Sequence, residues 1–486
     1  MGRAAGILNL FVLAGALTLL FVAGGPMMVF VAPALLVGIA LLRFTQVTLA
    51  LVTITSLLWI IGAQRFGGIA LLGPAQIACA LALPALVARA LRQGEGLSWA
   101  PHMVWLAVYV LLMFASRVFA QSPEMWDIGV QKHVMLLLPY LLLANLATTR
   151  ENVRLQVLVI YLTVVVSAVI GIGEFLLPGV QFSMGEVTLG ARIDDVSLQS
   201  GAIKRVTGGI GDGNWFSYTM ASALPLALYF LRRARSVPAR VVIGASGLLC
   251  LAALVLSYTR TGLVGLAAAI VLLVWLRRIP LLPLVMSGVV VAVAAPLWMP
   301  PGFAERIFSL RYFEEGSTPI RGEITATAVR LIAERPLTGW GYAQYGPQFM
   351  QRTESEIGLM MVERDLSGEE DAHFLRAHNM FLDTAVQYGL PAMIALVMFM
   401  IGLLRECAQV ARTGDADDRD LALLLAASLL AFYVCGMGGH SQELKIFWLV
   451  AGLVVALRRV VLEHPIAAPA PVALPPTLAS RSFPQT

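Results

Sequence analysis

Arginine and histidine stand in this chain at places where charge is costly. Arg260 lies in Ser257-Tyr258-Thr259-Arg260-Thr261-Gly262, a short polar break between two long apolar runs. An arginine so placed meets lipid headgroups, the plainer reading, or a substrate anion, since its planar fork pairs with phosphate oxygens. Lys204 and Arg205 precede Val206-Thr207-Gly208-Gly209-Ile210-Gly211-Asp212-Gly213-Asn214, a glycine-rich stretch directly ahead of an apolar run. Such a stretch can aim backbone N–H groups at an anion, or it can be a loop with Asp212 or Asn214 as helix cap. Its glycines match neither a P-loop nor a dinucleotide fingerprint.

Arg321 opens a run to Ile332 with apolar residues at helical spacing, which Pro336 and Gly339 end. Arginine near a helix start opposes the dipole, so it is either a solvated charge or a cation kept for an anionic ligand. His378 lies in His373-Phe374-Leu375-Arg376-Ala377-His378-Asn379-Met380-Phe381-Leu382-Asp383. A neutral imidazole suits general base work, with an ordinary pKa of about 6.5; a structural or interfacial histidine is the competing reading.

Metal patterns are weak. His373 and His378 are five apart, with no cysteine or third histidine beside them, so no metal site is assigned. Glu369-Glu370-Asp371 and Asp194-Asp195 read better as solvated loop than as a divalent site. Asp415-Ala416-Asp417 has the D-x-D form that binds nucleotide-sugar phosphates through a metal, but it falls in a charged turn on the expected cytoplasmic side. Cys79, Cys250, Cys407 and Cys435 are too scattered for a disulfide or metal framework.

The elements that must position these residues are membrane helices. Charged residues are 13% of the chain and hydrophobic ones 58%, with a mean hydropathy of +0.80, against about 25% charged in soluble domains. The fold class expected is all-α, a polytopic membrane protein of about 14 transmembrane helices with a long helical outward loop. The spans expected are 7–22, 26–42, 45–62, 68–88, 101–119, 133–148, 155–177, 214–231, 241–257, 261–276, 280–298, 381–404, 420–438 and 446–458. The first is read as a span and not a signal peptide, because Gly24-Gly25-Pro26 leads straight into another apolar run.

With the N-terminus inside, every short turn carrying two or more arginines falls on one side, including Arg150/Arg154, Arg232/Arg233 and Arg277/Arg278. Arg65, Arg117 and Arg260 are the single outward exceptions among short turns. The net charge of +5 is explained by these helix-end arginines, and nucleic acid is not an expected partner. Residues 178–213 and 299–380 then face outward, which is where function belongs. The chain divides into N-terminal spans 1–200, a core 201–440 that includes the outward loop 299–380, a last span within 441–464, and a Pro/Ala-rich tail 465–486 expected to be disordered.

Taken together these residues resemble the superfamily of bacterial O-antigen ligases and O-antigen polymerases, over roughly residues 200–440. The marks are Arg205 to Asn214 before a helix, the Thr-Arg-Thr-Gly element at Arg260, the Arg321 helix running into Pro336-Leu337-Thr338-Gly339-Trp340-Gly341, and His378-Asn379 followed by Gly389-Leu390. The resemblance implies an inverting, metal-independent glycosyltransferase without cofactor, at the outer face of the inner membrane, and the arginine turns place both termini in the cytoplasm. Its donor is an undecaprenyl-diphosphate-linked glycan, and its acceptor a glycan or lipid-linked acceptor. It assigns His378 as base and Arg321 and Arg260 as catalytic cations on the diphosphate, with Arg205, Lys204, Asn214 and Asn379 binding substrate.

A polymerase of exopolysaccharide or O-antigen is favoured on span number, with ligation to lipid A-core or to protein as alternatives. Membrane lipid and other polysaccharide-export proteins are the further partners it allows. A transporter is the reading from another class, and it needs an ionisable residue at mid-membrane depth, for which Glu174 is the candidate. The orientation is tested by impermeant thiol labelling of intact spheroplasts. A cysteine at Ser355→Cys should react and one at Ser236→Cys should not; the reverse result overturns it.

Overall fold

The computed structural model describes residues 44–58, 65–66, 69–70, 74–93, 97–177, 182–184, 187–189, 192–194, 203–282, 286, 317–353 and 375–463. The expected spans 7–22 and 26–42, most of 280–298, and the tail lie outside these residues, as do His373 and Glu369-Glu370-Asp371. The described chain is helical: α1 Thr45–Leu57, α2 Pro74–Gln93, α3 Met103–Ala115, α4 Pro123–Leu146, α5 Arg150–Leu176, α6 Gly213–Arg233, α7 Val237–Leu256 and α8 Arg260–Trp275, then α9 Ser317–Glu334, α10 Tyr345–Arg352, α11 Met380–Tyr388, α12 Leu390–Thr413, α13 Ala416–Gly436 and α14 Lys445–Arg458. Three small antiparallel pairs accompany them, joining Arg65–Phe66 to Ile69–Ala70, Phe182–Met184 to Val187–Leu189, and Arg192–Asp194 to Ile203–Arg205.

Among the described residues five helices, α4, α5, α7, α12 and α13, are long and apolar enough to cross a membrane, and α1, α2, α3 and α8 carry shorter apolar stretches. This is a membrane protein by composition and helix length, with fewer such helices described than the sequence reading expects. Large apolar side chains face outward, Leu111, Leu248 and Val271 among them, each at least 67% exposed. That is the surface a hydrocarbon solvent selects.

Two boundaries depart from expectation for local reasons. α4 starts ten residues before the expected 133, because the Ser122 side chain caps Met125 N at 3.4 Å and Pro123 suits the first turn. Asp127 and Lys132 had hidden that turn in a polar background. The expected span 381–404 is two helices, since Gly389 (φ 86°, ψ 165°) breaks α11 from α12.

The core is built on α14, whose residues Ile446 to Leu457 are all buried. Its 14 residues reach about 21 Å, short of the ~30 Å hydrocarbon, so the flanking turns complete that crossing. Phe447 stacks on Phe432 at 4.9 Å, and Gly452 lets α14 lie against the backbone of Tyr140 on α4.

The helix ends segregate. Arg150 and Arg154 on α5, Arg232 and Arg233 on α6, and Arg278 after α8 all pair with Asp417, Asp418 or Asp420 at the start of α13. Asp415 caps that helix, accepting from Asp417 N and Asp418 N at 2.8 Å each. The D-x-D residues are thus a helix cap and an ion-pair anchor.

At the other end α9, α10 and α11 enclose a second small core of Ile324, Leu331, Trp340, Tyr345, Phe349 and Val386. Trp340 N donates to Val386 O (2.8 Å), Gly341 N to Gln387 O (2.9 Å) and Leu390 N to Pro336 O (2.7 Å). The approach is close: a Cβ on Gly389 would lie 2.3 Å from Leu337 O, and one on Gly339 2.5 Å from the Gln387 carbonyl. The Pro336–Gly341 and Gly389-Leu390 marks are therefore one interlocked joint. Gly389 also occupies a backbone region only glycine adopts, which costs other residues about 1–3 kcal/mol. Gly389→Ala should lower the thermal unfolding midpoint of the purified protein, whereas Gly322→Ala, with nothing within 4 Å of the added Cβ, should leave it unchanged or raise it. Equal midpoints for the two variants would refute the joint.

Candidate active site

Three segments converge at the end away from the Arg/Asp network, and the turn from Met437 to Glu443 is where they meet. Met437 O accepts from Asn379 Nδ2 at 3.1 Å, and Gly438 O from the Tyr218 hydroxyl at 3.2 Å. A Cβ on Gly438 would touch Thr261, beside Arg260, at 2.6 Å. The ring of His440 stands edge-on to Trp215 at 5.6 Å and to His378 at 5.9 Å. The α6 start, the α7–α8 break and the connector into α11 are in this way clasped to one short turn.

His378 is presented by strained backbone, with φ 48°, and Tyr258, two residues before Arg260, has φ 52°. Non-glycine residues at positive φ persist where the surroundings impose them, often at functional sites. The surroundings here are explicit. Arg376 donates to Glu443 Oε1 at 2.8 Å, lies 3.7 Å from Asp383 Oδ2, and covers the Tyr342 ring at 4.5 Å. Asp383 also accepts from Gln387 and Gln442 side chains and, at 3.3 Å, from Ala377 N. Burial would push the Glu443 carboxyl up, but Arg376, with His133, Lys132 and His440, holds it down to about 2.

The glycine-rich stretch already holds an anion. Glu174 Oε2 accepts from Thr207 N at 2.8 Å and Gly208 N at 3.1 Å, and Ser167 Oγ donates to Gly208 O at 2.6 Å. Asp212 caps α6, accepting from Asn214 N at 2.8 Å and Trp215 N at 2.9 Å. Four amides here, of Thr207, Gly208, Asn214 and Trp215, are spent on the protein's own carboxylates, and Glu174 acts as a loop clamp, a structural role that competes with the transport reading. Arg205 is likewise engaged: it donates to Ser257 O (3.0 Å), Asn214 Oδ1 (2.8 Å) and Thr259 Oγ1 (2.7 Å), bracketing the α6 start to the α7–α8 break. Asn379 caps α11 at Phe381 N and Leu382 N. Lys204 lies in the last strand, and its side chain is outside the described residues.

Arg260 and Arg321 differ from these. Arg260 opens α8 half-buried, and Arg321 is exposed on α9, in its second turn and not at its start. Burial, then His440 and the Arg321 charge, depress His378 from 6.5 to about 3, leaving it neutral. Arg321 thus acts electrostatically on His378. Among the described residues no group of three or more His, Cys, Asp or Glu could hold a metal ion.

The sequence reading missed His440, Arg376, Glu443, Asp383 and Tyr342. Met437-Gly438-Gly439-His440-Ser441-Gln442-Glu443 is a polar break between apolar runs, the same signal that singled out Arg260.

A helical bundle of membrane-protein composition, with His378 and His440 in ring contact at the end away from the Arg/Asp network, is the class the geometry defines. Residues 245–397 match the family model described as O-antigen ligase. The match supports the O-antigen ligase and polymerase superfamily, and with it a glycan-processing function of that type. It is narrower than the expected 200–440: Arg260, Arg321, His378, Asn379 and Gly389 fall inside it, Lys204, Arg205, Asn214 and His440 outside. No curated protein matches the chain.

The state of His378 can be measured directly. In the purified protein its imidazole nitrogens should still report the neutral ring at about pH 5, by 15N NMR of labelled histidine, where an ordinary histidine is protonated. The folded pKa lies below the unfolded 6.5, so this group's stabilisation is complete above about pH 6.5 and is lost as pH falls toward 3. Protonation near pH 6.5 would show the ring to be solvated.

Proposed function

We propose that this protein transfers glycan from an undecaprenyl-diphosphate-linked donor to a growing glycan chain at the outer face of a bacterial inner membrane. The observation that carries the reading is His378, held at positive φ and edge-on to His440, in a turn that also clasps the segment bearing Arg260. An acceptor hydroxyl attacks the anomeric carbon, its proton passes to His378, and the bond to the diphosphate breaks with the electron pair leaving on oxygen. Arg260 and Arg321 stabilise that developing charge. No divalent ion is needed in this scheme.

A base depressed this far is weak until its surroundings change. Burial is the main reason His378 is held down, with His440 next and the Arg321 charge last; an arriving diphosphate offsets only that last contribution, so donor binding strengthens the base in part. Arg205, Asn214 and Asn379 position the segments around the donor, with Lys204 as a further substrate-binding cation in this proposal. The polymerase assignment rests on the many expected spans. It is tested by what a deletion strain accumulates: single lipid-linked repeats for a polymerase, unligated long chains for a ligase to lipid A-core or to protein.

With purified protein and a defined undecaprenyl-diphosphate glycan, His378→Ala should lose about 10²–10⁴-fold in turnover while still binding donor. Arg321→Ala should lose both, Arg321→Lys recovering only part because ammonium lacks the planar fork. Turnover should persist in excess chelator. Near-normal turnover in His378→Ala, loss of its donor binding as severe as in Arg321→Ala, or a loss in chelator that magnesium reverses would each overturn these roles.

A further inference from the structure

An apolar groove of about 290 Å³ runs between α6, α7 and α8, lined by Leu224, Leu228 and Leu231 from α6, Leu248 and Leu251 from α7 and Leu273 from α8. Two glycines keep it open. A Cβ on Gly244 would meet nothing within 4 Å, and one on Gly247 meets the Ala227 Cβ at 3.6 Å. At the Arg/Asp end, Leu231 runs directly into Arg232 and Arg233, and the α8 wall into Arg277 and Arg278. These four arginines line a second hollow of about 420 Å³ with Asp417 and Asp420, four guanidinium groups against two carboxylates. Arg232, Arg233 and Arg278 pair with those aspartates. Arg277 is exposed, has φ 55°, and has no carboxylate partner among the described residues.

We propose that groove and hollow together bind an anionic phospholipid of the surrounding bilayer, one acyl chain between the helices and the phosphate on Arg277 and its neighbours. An apolar slot that ends in surplus positive charge is the complement of such an amphiphile. From Leu224 to Leu231 the slot extends about 10 Å along the helix axis, within the ~15 Å depth of one leaflet. It lies at the opposite end of the bundle from His378, so its headgroup site is separate from the one assigned to the glycan donor.

The test is lipid binding to the full-length protein in mild detergent, read by native mass spectrometry, with no dependence on transfer activity. Phosphatidylglycerol should bind in preference to phosphatidylcholine. Arg277→Gly, which suits the positive φ, should weaken phosphatidylglycerol about five-fold, as expected for one cation near a membrane phosphate. Gly244→Leu, filling the slot, should weaken it too while the unfolding midpoint is unchanged or raised. Equal binding of the two lipids, unchanged binding in either variant, displacement by glycerophosphate at equal concentration, or displacement by a polyprenyl phosphate at equal concentration would each overturn the proposal.

Discussion

Arg376 is a buried guanidinium, 6% exposed, and its carboxylate partners come from two other places in the chain, Asp383 on α11 and Glu443 in the turn before α14. Stranding one partner of such a pair typically costs about 3–5 kcal/mol, so connector, helix and turn must move together or not at all. Tyr342 adds an aromatic face to Arg376, and Lys132 Nζ lies 5.7 Å from the centroid of that same ring. His378 follows Arg376 by two residues, its left-handed backbone held between this ion pair and the Asn379 cap. His378, the base of the proposed reaction, is thereby built onto a buried charged cluster that cannot relax without stranding a charge.

The bundle has a different kind of charge at each end. At the Arg/Asp end, aspartates on α13 collect arginines from α5, α6 and the end of α8, which ties together helices whose lateral packing is largely apolar. At the His378 end the charges are either internally consumed, as at Glu174 and Arg205, or left facing open space, as at Arg321. The small core of α9, α10 and α11 meets α12 at the Gly339–Gly389 joint, where backbone hydrogen bonds link the Pro336–Gly341 segment to Val386, Gln387 and Leu390.

Part of this was legible because lipid punishes charge: an arginine at an apolar break stands out, and Arg260 was singled out that way, whereas Arg321 was singled out by its place near a helix start and His378 by an imidazole placed ahead of span twelve. The α13–α14 turn carries the same signal, yet its two glycines and lone His440 look like an ordinary outward turn until His378 is seen beside it. Asp383 and Glu443 were unreadable for another reason. Their value lies in a partner 7 and 67 positions away, Arg376, and spacing in one sequence does not encode that pairing. The glycine-rich loop misled in an informative way: two of its amides do meet an anion, but the anion is Glu174, from a helix that ends at Leu176, well before Thr207 and Gly208. Helix α4 was shortened and span twelve fused because capping by Ser122 and the positive φ of Gly389 are conformational facts that hydropathy does not register.

Glu174 has one more consequence. A loop whose amides wait for a substrate must be ordered by it, and that entropy is subtracted from every binding event at about 1–2 kcal/mol per residue fixed. Here the carboxylate orders Thr207 and Gly208 once, during folding, and Ser167 secures the same glycine from behind. The segment leading into α6 is a rigid wall before any ligand arrives. Recognition beside it is left to side chains, whose number and reach can be changed residue by residue without rebuilding the backbone that carries them.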